Sequence, residues 1–224
     1  MGKNAVQTLT SSFKSVWRLI SMNYPPKHHQ ETKFRNIVET IKKYPLATLI
    51  SAKDSKIFTT HVPLIYDASD GEFGSLIGHI DKFNPHIELL QENIPAQTIF
   101  HGPNCYISPN VYSTTQFPTW NYVKVHISAK ATRIPNNDDV LTSIAHMTST
   151  LESSEHPYVL DTKNPRAQTL ADYIVGVKLE ITAWEGKFKL SQDKLPKDTN
   201  LAKEELIQKS RNDITAFIDG LLKK

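Results

Sequence analysis

From Trp120 onward the chain alternates strictly. Asn121, Val123, Val125, Ile127, Ala129 and Ala131 fall on one face, and Trp120, Tyr122, Lys124, His126, Ser128 and Lys130 fall on the other. A period of two predicts a half-buried strand from Trp120 to Ile134, its aliphatic face in the core. The opposite face carries too many rings and polar groups for an ordinary wetted surface. With Tyr106 and Tyr112 shortly before it in the chain, it fits either the wall of a site for a flat ligand or an aromatic cluster filling a barrel mouth.

The same pattern places shorter strands at Leu46–Ser51, Phe58–Tyr66, Ser75–Ile80, Ala96–Gly102 and Cys105–Ser108. Another covers Ile174–Ala183, with Val175, Val177, Leu179, Ile181 and Ala183 inward; Gly186 reads as a turn or bulge before a last strand, Lys187–Leu190. A helical period appears in Gln30–Lys43, where Phe34, Ile37, Val38 and Ile41 share a face. Asn84-Pro85 is a cap followed by proline at the first helical position, opening a helix to about Gln91. Further helices are read at Asn137–Leu151 and Ala167–Tyr173. A last one runs from Leu201 to Leu222, with Ile207, Ile214, Phe217, Ile218 and Leu221 as its stripe. Strands at hairpin spacing with inserted helices predict a mainly β, α+β domain: an antiparallel barrel with peripheral helices, not a doubly wound parallel sheet.

Composition narrows the function classes. At 39% hydrophobic and 22% charged residues, 224 residues suit one folded domain with appendages. The net charge is only +3 and the basic residues are scattered, so no nucleic-acid patch and no basic recognition helix is read. Cys105 is the sole cysteine, which excludes an internal disulfide and reads as a small buried hydrophobe. No apolar run reaches membrane-spanning length. Met1–Ser21 has no acidic residue and a helical apolar period; it fits a mitochondrial-type presequence or an amphipathic helix packed on the domain. The expected location is cytoplasmic, or mitochondrial in the first case. The expected division is an extension at 1–21, the domain at 22–195 and a C-terminal helix at 196–224.

No nucleotide-loop, nucleophile-elbow or helical zinc motif is present. Nine histidines invite a metal reading, but His61, His79, His101 and His126 sit on separate predicted strands, so no metal site is assigned. Two constellations remain. Gly78-His79-Ile80-Asp81-Lys82-Phe83-Asn84-Pro85 ends a strand at a helix start, where Lys82 and the Asn84 amide suit a phosphate; the plain alternative is a capped helix with a solvated lysine. Within Glu185–Gln192, a strand would set Lys187, Lys189 and Ser191 on one side, either as an anion cradle or as a lysine-blunted edge.

Taken together, several stretches resemble the PaiB-type family, described as FMN-binding negative transcriptional regulators and related to flavin-reductase-like and pyridoxamine-phosphate-oxidase-like split barrels. They are Tyr24-Pro25-Pro26-Lys27-His28, Tyr44-Pro45-Leu46-Ala47-Thr48-Leu49, His61-Val62-Pro63-Leu64, Gly78-His79 with Asn84-Pro85, and Phe100-His101-Gly102-Pro103. Tyr106-Ile107-Ser108-Pro109, Pro118-Thr119-Trp120-Asn121-Tyr122 followed by Val125-His126, Ile174-Val175-Gly176 and Glu185–Gln192 complete the set. Asp81 and Phe83, Val111 and Asp193 depart from the residues usual in that family. The resemblance implies a six-stranded antiparallel split barrel forming a homodimer, with one FMN at each end of the interface. It implies that His61, His79, Lys82 and Asn84 line the flavin and its phosphate, that Thr119, Trp120 and Asn121 form the ring wall, and that Lys187, Lys189, Ser191 and Gln192 close the site. The expected function is an FMN-dependent oxidoreductase, with NAD(P)H as a candidate electron donor. A non-enzymatic, FMN-dependent regulator or sensor is the alternative, and a pyridoxal- or haem-related relative on the same barrel is a third reading.

Overall fold

The structure is a computed structural model describing residues 25–91, 94–152 and 155–211, with 218 and 221. Met1–Ser21, Ile214 and Phe217 therefore lie outside the described residues. The elements are β1 (Gln30–Glu31), α1 (Phe34–Lys43), β2 (Leu46–Lys53), β3 (Lys56–Asp67), β4 (Ser75–Asp81) and β5 (Ile94–Ile107). They continue with β6 (Thr119–Arg133), α2 (Asn137–Leu151), α3 (Pro165–Ala171), β7 (Ile174–Lys189) and α4 (Pro196–Lys209).

The sheet order is β1-β7-β4-β3-β2-β5-β6, and β6 also pairs with β7. That last pairing closes a ring of six antiparallel strands, the expected split barrel, with β1 added to its rim. β7 makes the closure because it is long: its first part pairs with β4, from Ile174 opposite Asp81 to Glu180 opposite Ser75, while β6 follows it from Val177 to Lys189. The inward residues Leu49, Leu64, Leu76, Phe100, Val125, Ile127 and Leu179 are fully buried, and α1 adds Ile37 and Ile41. The hairpin between β2 and β3 turns on Asp54 and Ser55, with φ of 50° and 64°. Two successive positive φ values suit the right-handed twist of the flanking strands.

Several boundaries differ from the pattern, each for a local reason. Helix α1 begins at Phe34 rather than Gln30, because Gln30 and Glu31 pair with Lys187 and Gly186 on β7. Gly186 is neither turn nor bulge. It lies inside β7, where a Cβ would stand 2.6 Å from Ile37 Cδ1 and 2.8 Å from Glu31 Cβ. Its missing side chain is what lets α1 and β1 approach. The bulge in β7 comes earlier: the partners of Ser128 and Ala129 are Ala183 and Ile181, so Thr182 is the extra residue. Parity flips there. Ala183 is exposed, and Trp184, Gly186 and Phe188 take the inward positions. The two strands read at 96–102 and 105–108 are one strand, β5, interrupted in register between His101 and Asn104. The helix after Asn84 is a five-residue 3-10 turn, Pro85–Leu89. On α4 the buried residues are Asp198, Ala202 and Leu206, so Ile207 does not belong to the buried stripe; Leu151 at the end of α2 is likewise exposed.

Candidate functional site

The outward face of the barrel carries a hydrogen-bonded row across four strands. Lys124 on β6 sits opposite His101 on β5, and Thr48 on β2 sits opposite His61 on β3. Lys124 Nζ lies 2.9 Å from His101 Nδ1, His101 Nε2 lies 2.9 Å from Thr48 Oγ1, and Thr48 Oγ1 lies 3.2 Å from His61 Nδ1. An ammonium has no lone pair, so Lys124 donates and His101 Nδ1 accepts. The His101 proton then sits on Nε2 and is donated to Thr48, whose hydroxyl donates onward to His61. The row thus has one direction, from the lysine to His61. Burial, with the Lys124 charge next, holds His101 below the ordinary imidazole range; burial also lowers Lys124. An anion beside the row would favour the charged form of both groups.

Lys187 joins this surface. It is the β7 partner of Lys124, and its ammonium lies 5.4 Å from the centre of the Tyr122 ring. Lys189, two residues on, donates to Thr119 Oγ1 at 2.5 Å. Trp120 is 50% exposed and pairs across the sheet with Tyr106, their ring centroids 6.3 Å apart. Its indole N–H donates to Asn104 Oδ1 at 3.2 Å. Next to Thr119 and Lys189 a cleft of about 230 Å³ is bounded by His29, Phe117, Pro118, Ser191 and Asp193.

The remaining residues read from the sequence have their polar groups committed to other contacts. Asn121 and Ser191 are buried. Asn121 Nδ2 donates to Ser191 Oγ at 3.0 Å, and the Ser191 hydroxyl donates back to Asn121 Oδ1 at 3.1 Å. With its one hydrogen used, Ser191 accepts from the Tyr112 hydroxyl at 2.8 Å. Its hydrogen-bonding capacity is full. The strand ends at Lys189 and Ser191 has a φ of +61°, so it turns inward instead of continuing the lysine face. Gln192 is spent on the same turn, accepting from the Leu190 N–H and donating to the Phe188 carbonyl.

His79, Lys82 and Asn84 form no cluster with the cationic row. Asn84 accepts from the His86 N–H and donates to Thr60 Oγ1, which is also 2.9 Å from His86 Nδ1. Lys82 donates to the Asp172 carbonyl at 2.9 Å and lies 4.0 Å from the centre of the Tyr173 ring. His79 Nε2 lies 2.7 Å from Ser143 Oγ on α2. Because Ser143 donates its own hydrogen to the Val140 carbonyl, His79 must be the donor.

Burial lowers the His79 pKa to about 4. A histidine held neutral in the fold contributes stability that is complete above its unfolded value near 6.5 and is lost as pH falls toward 4. Urea unfolding across that window should show the loss, and His79→Gln should flatten the pH dependence relative to the parent. An unchanged slope in the variant would remove His79 as its source.

Thr48, His101 and Lys124 were not among the residues assigned to the site from sequence. The signal that could have found them is cross-strand pairing, which needs the register. Comparison with known proteins agrees with the fold. A "Protease synthase and sporulation protein PAI 2" of Bacillus subtilis is 27% identical over 173 residues, 76% of this chain and 83% of that protein. Among solved structures, the FAD and haem binding protein from Mycobacterium smegmatis aligns with a TM-score of 0.57 at 15% identity, over 72% of this chain and 73% of that one. The flavocytochrome Anf3 from Azotobacter vinelandii aligns at 0.55 and 11% identity, over 71% and 69%. A family model described as "Putative FMN-binding domain" matches residues 23–183, so the chain belongs to that family.

Proposed function

We propose that this chain binds FMN on the outward barrel face and uses it as an oxidoreductase. The observation that carries the reading is the directed row Lys124–His101–Thr48–His61, with Lys187 beside it and Trp120 half-exposed on the same strand face. Lys124, Lys187 and Lys189 supply the positive charge a phosphate dianion requires, through charge-assisted hydrogen bonds, and His101, neutral in the row, holds Lys124 in place. Trp120 and Tyr106 offer ring surface for a flat ligand, and Thr119 positions the Lys189 ammonium. The row leaves His61 with its proton on Nε2, as a donor at the end of the chain of bonds. Of the residues implied by the family resemblance, His61, Thr119, Trp120, Lys187 and Lys189 belong to this reading. His79, Lys82, Asn84, Asn121, Ser191 and Gln192 support it through the fold.

Bound FMN would supply the electron chemistry, and the protein would supply position and electrostatics. A homodimer fits the same face: Leu46, at 59% exposure, and Trp120 are both outward residues that a second subunit would cover. The oxidoreductase reading is tested by anaerobic titration of the FMN-loaded protein with NADH and NADPH. Bleaching of the flavin absorbance by either nucleotide is expected. Flavin that neither nucleotide reduces would overturn the use of these donors and favour the regulator or sensor alternative.

A further inference from the structure

Among the described residues, His28, His29 and Asp193 bring one ligand atom each to within 4.8 Å of the others. His28 and His29 belong to a single 3-10 turn before β1, and Asp193 belongs to the turn after β7. The pairing of β1 with β7, Gln30 opposite Lys187, fixes the two segments side by side. The imidazole rings of His28 and His29 meet edge to face at 4.1 Å, so the adjacent residues do not point apart.

A second observation points to the same place. His29 is only 9% exposed, and its Nε2 is closed off from solvent without a hydrogen-bond partner. Buried polar nitrogens almost always have a partner, and one that lacks it asks for an unseen group. His29 and Asp193 also border the cleft beside Lys189 and Thr119.

We propose that His28, His29 and Asp193 hold one divalent transition-metal ion at the rim of this cleft. Two imidazole nitrogens and one carboxylate oxygen form a borderline donor set, suited to zinc or cobalt and unsuited to calcium or magnesium, which take oxygen ligands. Ligands about 2.0–2.2 Å from such an ion stand about 3.3 Å from one another, a modest contraction from the present spacing that side-chain rotation supplies. The remaining positions would face water or an anionic group in the cleft. Asp193 now pairs with Lys194 at 3.0 Å, so this lysine competes with the ion for the carboxylate. The bound ion would clip the lead-in of β1 to the exit of β7. None of the three ligands belongs to the proposed flavin row, so the argument for the site does not rest on that reading, although the ion would border the cleft beside Lys189 and Thr119.

The test is titration of the flavin-free full chain with Co²⁺, read by visible absorption, and competition with Zn²⁺. One equivalent should bind with d–d bands typical of nitrogen and oxygen ligation. Asp193→Asn and His28→Gln should each weaken Co²⁺ at least tenfold, and Lys194→Ala should tighten it. His156→Gln, an exposed histidine away from the group, should change nothing. Circular dichroism and the urea midpoint of the Asp193→Asn protein, measured in parallel, report whether the variant keeps its fold, and its FMN uptake separates the two sites. No uptake of Co²⁺ or Zn²⁺ by the parent chain, or uptake equal in the parent and the Asp193→Asn and His28→Gln proteins, would overturn the site.

Discussion

Replacing Phe100 with alanine should cost about 3–5 kcal/mol of folding stability, the range for truncating a buried aromatic ring. Phe100 is fully buried on β5 and lies opposite Ala47 on β2 and Val125 on β6. Its neighbours there are small or already committed to the core, so the space left by the ring does not refill easily. The next residue, His101, faces outward and joins the row to Thr48 and Lys124. The loss should therefore appear twice: as a lower urea midpoint with an unchanged slope, and as weaker flavin binding by whatever protein stays folded. A loss within about 0.5 kcal/mol, the scale of ordinary surface changes, would mean that the barrel interior is not built around this ring.

The second large effect concerns Lys187 and Lys189. They stand two apart on β7, the first beside Lys124 and Tyr122 and the second against Thr119. Losing one hydrogen bond to a charged group costs about 1.5–3 kcal/mol. Lys187→Ala or Lys189→Ala should then weaken FMN binding about 10- to 150-fold. Riboflavin, which lacks the phosphate, should lose far less in the same variants. Equal losses for both ligands would place the lysines at the ring or in support of the fold, and no loss for either would make them a solvated edge.

Much of the architecture was legible because it depends on period. The alternation from Asn121 to Ala131 survives residue by residue, and the hairpin spacing led to the ring of antiparallel strands. What failed was local geometry that a period cannot carry. One extra residue at Thr182 reverses every inward position after it, which is why Ala183 faces out. Gly186 was misread because glycine marks both turns and close approaches, and only the position of Ile37 distinguishes them. The candidate site was legible in part. Lys187, Lys189, Thr119, Trp120 and His61 could be named from motifs. Thr48, His101 and Lys124 meet only through register: they lie 53 and 23 residues apart along the chain. Ser191 looked like a phosphate donor because strand parity was extended past Lys189, where a positive φ turns the hydroxyl into the core.

The most direct test of the flavin reading is an equilibrium titration of the purified full chain with FMN, followed by flavin fluorescence and by thermal unfolding. One FMN per chain should bind, and FMN at a hundred times its dissociation constant should stabilise the fold by about 2.7 kcal/mol. Riboflavin should bind at least tenfold more weakly, since the cationic row and the β7 lysines act on the phosphate. Saturating FMN that leaves both the fluorescence and the unfolding midpoint unchanged would contradict the account.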